Sequence, residues 1–223
     1  MPDTPKRKRS QAETPAAGPL TAQDESGRCA GCGLLYVRGS ATDENYHQTF
    51  HDLRVNGPKS KLADGFHVVT HKASLFLQRH AQAAAIAARR ETGYDFPSFV
   101  ASKEADRSRT IAIIYVWNGR VIALVVSREH TCEYQTPLSS FAPGVDSPCR
   151  SAEALRIEPH SRRAIEMMWV LKGKRRKGIA RRLIDALAEQ CSLRIEDFAH
   201  MTPLSEDAAA FWRSCGLSMI HVV

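Results

Sequence analysis

The sequence predicts an α+β fold: a mixed, mostly antiparallel sheet flanked by helices and preceded by a small metal-binding module. Two runs rich in Ile and Val, Thr110–Trp117 and Arg120–Ser127, are joined by Asn118-Gly119, a pair typical of a type I′ hairpin turn. Farther on, the apolar run Met167–Leu171 leads into a basic loop and then an amphipathic segment. A cysteine pair and a histidine pair precede these elements, which indicates a separate module at the N-terminal side.

Length and composition limit the class of protein. The 223 residues, 43% of them hydrophobic, suffice for one good-sized domain with a real core plus a small module. The net charge of +7 favours anionic partners such as a phosphorylated cofactor, nucleic acid or chromatin. No apolar run approaches the roughly 18 residues of a membrane span, so we expect no membrane partner. The polar, basic N-terminus shows no secretory signal, and six cysteines in a chain of this length favour a reducing compartment.

The first 25 residues are predicted to be a disordered basic tail. They contain several prolines and few large apolar side chains, so they cannot bury enough surface to offset the entropy of ordering. The cluster Lys6-Arg7-Lys8-Arg9 is typical of a nuclear localisation signal or a nucleic-acid contact. A solvated charge run is the alternative interpretation of these four residues.

Residues 26–55 are predicted to form a zinc finger of the C2H2 type. Cys29-x2-Cys32 is followed after fourteen residues by His47-x3-His51, and type, order and spacing all match a zinc-site template. The cysteines suit a hairpin, and histidines four residues apart lie on one face of a helix. Four protein ligands leave no open position for water or substrate, so the predicted Zn²⁺ is structural rather than catalytic.

Residues 60–223 are predicted to form the larger domain. Additional strands are expected at Phe66–Val69, Arg163–Leu171, Ile195–Met201 and Leu217–Val223. Helices are expected from a cap at Ser74 to Arg90, over Gly178–Gln190, and from a cap at Ser205 to Ser214. The stretch Ser139–Glu158 has the composition of a loop. Inward positions are predicted at Leu75, Leu77, Ala81, Ala84 and Ala88 in the first helix and at Ile179, Leu183, Ile184 and Leu187 in the second.

The segment Arg175-x-x-Gly178-x-Ala180 has the pattern of a phosphate-binding turn at a helix N-terminus. Small residues let the backbone come close to a pyrophosphate, and the free N–H groups and the helix dipole then bind the anion. Seven basic residues between Lys172 and Arg182 add partners for further phosphate. A second localisation signal or a DNA-binding patch is the alternative, although neither accounts for the placement of the two small residues.

These features resemble a known family. The R-x-x-G-x-A spacing after an apolar strand resembles the acetyl-CoA loop of GNAT-superfamily N-acetyltransferases, and the order of elements is that of a GNAT fold. A single finger just ahead of such a domain resembles the establishment-of-cohesion acetyltransferases. The likeness rests mainly on Cys29–Tyr36, His47–His51 and Lys174–Leu183, with looser similarity over Thr110–Ser127 and Phe198–Thr202.

The resemblance implies a protein-lysine N-acetyltransferase that transfers acetyl from acetyl-CoA to the ATPase-head subunit of cohesin. It also implies a nuclear, chromosome-associated protein that promotes sister chromatid cohesion. Two alternatives stay open: a GNAT enzyme for another substrate, such as a histone or a small amine, and a zinc-finger chromatin-binding module with an inactive GNAT domain. The cofactor residues carried over by the resemblance are Met168, Trp169, Val170, Arg175, Arg176, Lys177, Gly178, Ile179, Ala180, Arg181 and Trp212.

The catalytic residues depart from the pattern of that family. Glu166 and His200 stand where the family has a Ser and an Asp. A lysine amine, with a pKa near 10.4, must lose a proton before it attacks a thioester, and either side chain can accept that proton. Solvated strand-edge residues are the alternative for both. Trp212 stands where many GNAT enzymes have a Tyr that acts as the general acid. Indole cannot protonate a leaving thiolate, so Trp212 is expected to pack on the cofactor instead. Ordinary surface or core roles are expected for His67, His71, His80, His130, His160 and His221.

Overall fold

The computed structural model describes residues 26–93, 109–137, 155–200, 206–215 and 219–221. The predicted basic tail and the cap at Ser205 therefore lie outside the described residues. Within the described ranges, every helix is too short or too polar to serve as a membrane span.

The N-terminal module is a two-stranded hairpin followed by one helix. Strand β1 (Ser26–Arg28) pairs antiparallel with β2 (Leu35–Val37), and helix α1 (Ala41–Asn56) follows. The hydroxyl of Ser40 caps the helix by accepting a hydrogen bond from the Asp43 N–H at 3.4 Å. Helix α1 continues past His51, the last of the four predicted zinc ligands, so its last turn can reach the larger domain.

A six-stranded sheet forms the centre of the larger domain. The hydrogen-bonded order is β3-β4-β5-β6-β7, and β8 pairs with the far end of β5. All pairs are antiparallel except β6 with β7. The α+β prediction, with a mixed and mostly antiparallel sheet, is confirmed. The strands are β3 (Gly65–Val69), β4 (Thr110–Trp117), β5 (Arg120–Pro137), β6 (Leu155–Val170), β7 (Ala199–His200) and β8 (Met219–His221).

Among the described residues, three helices accompany this sheet: α2 (Leu75–Thr92), α3 (Ile179–Cys191) and α4 (Glu206–Ser214). The predicted cap at Ser74 is confirmed, because its hydroxyl accepts the Leu77 N–H at 3.3 Å. The prediction that Leu75 is buried is wrong: it is 52% exposed at the first position of α2, and the buried stripe begins at Ala81. All four inward positions predicted in α3 are buried, so helix and sheet enclose one apolar core.

Two predicted segments differ from the structure. Strand β5 runs ten residues beyond Ser127 and pairs with a β6 that already begins at Leu155, so residues 155–158 are strand rather than loop. The rest of that predicted loop lies outside the described residues. The predicted strand Ile195–Met201 begins instead as a 3₁₀ turn over Ile195–Asp197, because the Asp197 carboxylate accepts the Arg194 backbone N–H at 3.1 Å.

The last turn of α1 is fixed to the first residue of β5. The Arg120 guanidinium donates to the Asp52 carboxylate at 2.8 Å and to the Gly57 carbonyl at 3.0 Å. The hydrogen bond from Arg120 lowers the pKa of the Asp52 carboxyl. Leu53, one residue on from Asp52, packs against the apolar core of the larger domain. The module and the larger domain therefore share an interface that both polar and apolar contacts hold.

Gly57, which ends α1, is expected to tolerate no side chain. Its φ of 81° and ψ of 169° define a conformation that only glycine adopts readily, and an added Cβ would overlap the Val121 carbonyl oxygen. We expect Gly57→Ala to lower the free energy of unfolding by about 3 kcal/mol, measured by denaturant unfolding. Gly93→Ala is the matched control, because Gly93 has a φ of 72° but open space around it. Its expected cost is about 1 kcal/mol, and equal losses for the two variants would contradict the close approach.

Candidate active site and metal centre

The four predicted zinc ligands come together in the N-terminal module. One donor atom from each of Cys29, Cys32, His47 and His51 lies within 4.8 Å of the others. The hairpin between β1 and β2 supplies the thiols, and one face of α1 supplies the imidazoles. The Tyr36 ring stacks on His47 with centroids 3.9 Å apart, which orients that imidazole.

The chemistry of this cluster fits a tetrahedral zinc ion. A backbone hydrogen bond from Cys32, together with the His47 side chain, lowers the pKa of the Cys29 thiol to about 6, which favours the thiolate that zinc binds. Burial raises the pKa of the Cys32 thiol, so in the absence of metal this thiol keeps its proton more readily. The buried Nε2 of His47 has no hydrogen-bond partner among the described residues. A ring nitrogen buried in this way is costly unless it binds a ligand.

The predicted phosphate turn lies between the end of β6 and α3. Gly178 is the N-cap of α3 with a φ of 73°, and no side chain caps the helix. The first intrahelical bond of this helix runs from the Arg182 N–H to the Gly178 carbonyl. The N–H groups of the first helical turn, at residues 179–181, are therefore left for a ligand. Arg176, with a φ of 60°, also adopts the left-handed conformation. Two left-handed backbone conformations, separated by Lys177, shape a concave turn at the positive end of a helix.

Side chains around this turn divide into exposed cations and buried anchors. Ile179 is buried in the core and fixes the start of α3. Arg175 donates from Nε to the Val170 carbonyl at 2.9 Å and pairs with Glu91. Arg176 is exposed and pairs with Asp207 at 3.1 Å. That the N–H groups of the turn hold a pyrophosphate stays a prediction, and these side chains supply the rigidity and charge that it requires.

The last residues of β6 have a backbone edge suited to an extended ligand. Met168, Trp169 and Val170 pair with β5 on one side. On the other side, within the described ranges, β7 pairs only with Ala164 and Ile165. The prediction that this part of β6 offers backbone groups to a pantetheine arm is compatible with that edge.

Trp212 requires a correction. The indole was predicted to pack on a cofactor, but the side chain is 1% exposed and belongs to the apolar core, where it contacts Phe211 edge-on. The protein itself therefore covers the ring, and no surface is left for a cofactor in this conformation. We assign Trp212 to core packing.

Glu166 is the centre of a buried polar network. Its side chain is 5% exposed, and Oε1 contacts both Arg128 Nε at 3.3 Å and His130 Nε2 at 3.0 Å. Arg128 also donates to the Thr110 hydroxyl at 3.2 Å. The other oxygen, Oε2, is buried and without a hydrogen-bond partner among the described residues. The alternative of a solvated strand-edge residue is therefore wrong for Glu166.

The backbone at Glu166 is irregular. Met167 pairs with Val126 and Ile165 with Ser127, so Glu166 is the extra residue of a β-bulge. A bulge redirects a side chain and is frequent beside functional sites. His200, the other predicted base, pairs through its backbone with Ile165, the residue that precedes Glu166 in β6. The role of His200 stays a prediction.

His130 is a site residue that the sequence analysis missed. It was predicted to be an ordinary histidine, but it contacts Glu166 directly. Arg128 and His130 are two residues apart on β5, and alternation places such residues on one face of a strand. That alternation was the available signal, but only strand pairing shows that this face meets Glu166.

Comparisons with known proteins agree with this geometry. The profile of the acetyltransferase (GNAT) family matches residues 79–217, which is more than half of the chain. The chain belongs to the GNAT family of acetyltransferases. A second profile, described as the zinc-finger of acetyl-transferase ESCO, matches residues 20–53. The protein is thus an acetyl-CoA-dependent GNAT acetyltransferase with an ESCO-type finger that fits a structural Zn²⁺.

Among the solved structures that match, those of the xEco2 acetyltransferase domain support the GNAT fold. The xEco2 acetyltransferase domain bound to a K105-CoA conjugate is 20% identical with a TM-score of 0.53, and the match covers 74% of this chain and 94% of that one. A second structure of the xEco2 acetyltransferase domain gives 19% identity, a TM-score of 0.53, and coverage of 74% and 93%. The ribosomal-protein-alanine N-acetyltransferase from Brucella melitensis biovar Abortus 2308 is 17% identical, with a TM-score of 0.40 and coverage of 68% and 90%. No curated protein gave a match.

Gly178 of this GNAT domain is expected to be required for acetyl-CoA binding. Alanine in its left-handed conformation costs about 1–2 kcal/mol, so Gly178→Ala should shift the turn toward other conformations and raise the Kd for CoA about tenfold, measured by calorimetry. Gly173→Ala is the matched control from the same loop, because Gly173 lacks a positive φ and has no atom within 4 Å of an added Cβ. An unchanged Kd for Gly178→Ala would contradict the role of the turn.

Proposed function

We propose that this GNAT enzyme is a protein-lysine N-acetyltransferase that acts on the ATPase-head subunit of cohesin and so promotes sister chromatid cohesion. The observation that carries the proposal is the joining of an ESCO-type finger to the GNAT domain in one chain. A lysine acceptor is supported by the structure of the xEco2 acetyltransferase domain, which is bound to a K105-CoA conjugate.

The acceptor lysine must lose a proton, and Glu166 is the proposed base. Acetyl-CoA supplies the acetyl group as an activated thioester: the amide C–N bond forms as the thioester C–S bond breaks, and CoA leaves as a thiolate that takes a proton from water. Oε1 of Glu166 is engaged by Arg128 and His130, so Oε2 is the oxygen left to take the amine proton. Because Oε2 is buried, the proton reaches it through a water. Arg128 compensates the charge of the carboxylate in its buried position. His130 fixes the orientation of the carboxylate, which a β-bulge directs.

We also propose a nuclear, chromosome-associated location, where cohesin would be encountered. The basic cluster Lys6-Arg7-Lys8-Arg9 and the net charge of +7 support this, since both favour nuclear import and association with chromatin. Fluorescence microscopy of the tagged full chain, beside a variant with these four residues replaced by alanine, tests the location. Cytoplasmic signal from the unaltered chain would contradict it.

The substrate is tested with the purified, zinc-loaded full chain and acetyl-CoA. The cohesin ATPase-head subunit and a histone are offered in parallel, and acetylated lysines are located by mass spectrometry. We expect acetyl-lysine on the cohesin subunit, and its loss with Glu166→Gln. Acetylation of the histone without acetylation of the cohesin subunit would overturn the proposed substrate but would agree with a protein-lysine acetyltransferase.

A further inference from the structure

The Glu91 carboxylate connects α2, β6 and the acetyl-CoA loop. Its Oε2 accepts a hydrogen bond from the Trp169 indole N–H at 2.8 Å, and its Oε1 pairs with the Arg175 guanidinium. Arg175 in turn donates to the Val170 carbonyl at 2.9 Å. Glu91 is 9% exposed, so both oxygens are satisfied inside the protein rather than by water. A buried carboxylate holds its partners firmly, because losing one leaves an uncompensated charge.

These contacts act on the first residue of the acetyl-CoA loop. Arg175 opens the Arg175–Gly178 turn; its own N–H donates to the Lys172 carbonyl at 3.4 Å, and the N–H groups that follow it are predicted to hold the pyrophosphate. Glu91 fixes the Arg175 side chain from outside the loop, and the Val170 carbonyl fixes it to the end of β6. Since the N–H groups bind a phosphate only in one backbone arrangement, a loop that is held in advance binds with less loss of entropy.

The zinc finger reaches the same place from the other side. A small cleft beside Glu91 and Trp169 is walled by Phe50, Leu53 and Arg54 from the second half of α1. Phe50 directly precedes the zinc ligand His51. Nη1 of Arg54 is buried, so this side chain extends into the protein and not into solvent. The order of α1, which zinc maintains, therefore determines how tightly Glu91 and Trp169 are enclosed.

We propose that Glu91 is a positioning residue that links the zinc finger to the acetyl-CoA loop, so that zinc in the finger strengthens the binding of acetyl-CoA. Zinc orders α1, α1 encloses the Glu91–Trp169 pair, and Glu91 holds Arg175. Coupling between two ligands is reciprocal, so acetyl-CoA strengthens the binding of zinc by the same factor. This link requires acetyl-CoA binding by the GNAT domain, and it is independent of which protein accepts the acetyl group.

The first test measures CoA binding to the zinc-loaded full chain by calorimetry. We expect Glu91→Gln to raise the Kd about tenfold, a typical size for a residue that orients a binding group. Trp169→Phe, which keeps an aromatic ring but removes the N–H, should shift the Kd in the same direction by less. Glu189→Gln, at an exposed position in α3, is the matched control and should leave the Kd unchanged. Wild-type Kd values for both Glu91→Gln and Trp169→Phe would overturn the proposal.

The second test measures the coupling itself. Zinc affinity is determined by competition with a chromophoric chelator, with and without saturating CoA, for the wild type and for Glu91→Gln. We expect CoA to tighten zinc binding about five- to tenfold in the wild type, and by a smaller factor in Glu91→Gln. An equal factor in the two proteins, or no effect of CoA on the wild type, would overturn the link. Neither measurement requires the zinc-free protein to stay folded or depends on turnover of any acceptor.

Discussion

Loss of zinc is expected to unfold the N-terminal module and to lower the stability of the whole enzyme. The module has a two-stranded hairpin and one helix with no buried residue, so its own core cannot offset the entropy of ordering. Structural zinc contributes about 10–16 kcal/mol to folding in finger peptides near neutral pH. We therefore expect Cys32→Ser to abolish zinc binding, and circular dichroism should lose a helical signal equivalent to α1.

The larger domain should respond as well, because α1 covers part of it. Leu53 packs against its core and Asp52 pairs with Arg120, and both contacts depend on the last turn of α1. The Cys32→Ser variant should therefore show a lower melting temperature for the larger domain as well as for the module. Cys191→Ser, at a partly buried thiol away from the zinc cluster, is the control and should retain both zinc and helix. An unchanged melting temperature after chelation would show that the finger does not support the domain.

The second large effect is a loss of kcat, which we expect when Glu166, the buried carboxylate of β6, is replaced. Glu166→Gln keeps the shape of the side chain but removes its ability to accept a proton, so kcat should fall about 10²–10⁴-fold. The Kd for CoA should stay unchanged, because Glu166 lies in the β6 bulge and not in the acetyl-CoA loop. Steady-state kinetics with a cohesin-derived acceptor, beside calorimetry with CoA, separates these two quantities.

A further pair of variants distinguishes the candidate bases. His200→Ala alone should have a small effect if Glu166 is the base and a large one if His200 takes the proton. A Glu166→Gln/His200→Ala double variant with the wild-type kcat would refute both assignments. Glu189→Gln again serves as the matched substitution away from the site, with no change expected in kcat or in KM.

Local patterns in the sequence predicted the elements that local chemistry determines. The spacing of Ile179, Leu183 and Leu187 predicted a helix with one buried face, and the structure has that face. Asn118 and Gly119 both adopt positive φ, as the predicted hairpin turn requires. The zinc ligands were found from spacing alone, because a tetrahedral ion imposes strict distances between a small number of residue types.

Features that depend on contacts between distant segments could not be predicted in this way. Glu91 and Arg175 are 84 positions apart, and His130 and Glu166 are 36 apart, so no sequence window contains either pair. The extension of β5 to Pro137 depends on pairing with β6 and, at its end, with β8, and on no pattern of its own. Trp212 was misassigned for the same reason: its position in the chain matched a family site, but packing of α4 encloses the ring.

The path of α1 has a consequence for how this protein can evolve. One uninterrupted helix runs from the zinc ligands to Gly57, where the chain turns directly against Val121 without a spacer. Fingers attached by variable linkers can be exchanged between proteins by recombination, but this one is held in fixed register with the enzyme. We expect residues 52–58 to reject insertions and deletions in a library screen, whereas the turn at Gly39, where an added Cβ meets no neighbouring atom, should accept them. We therefore expect finger and enzyme to be inherited as one unit.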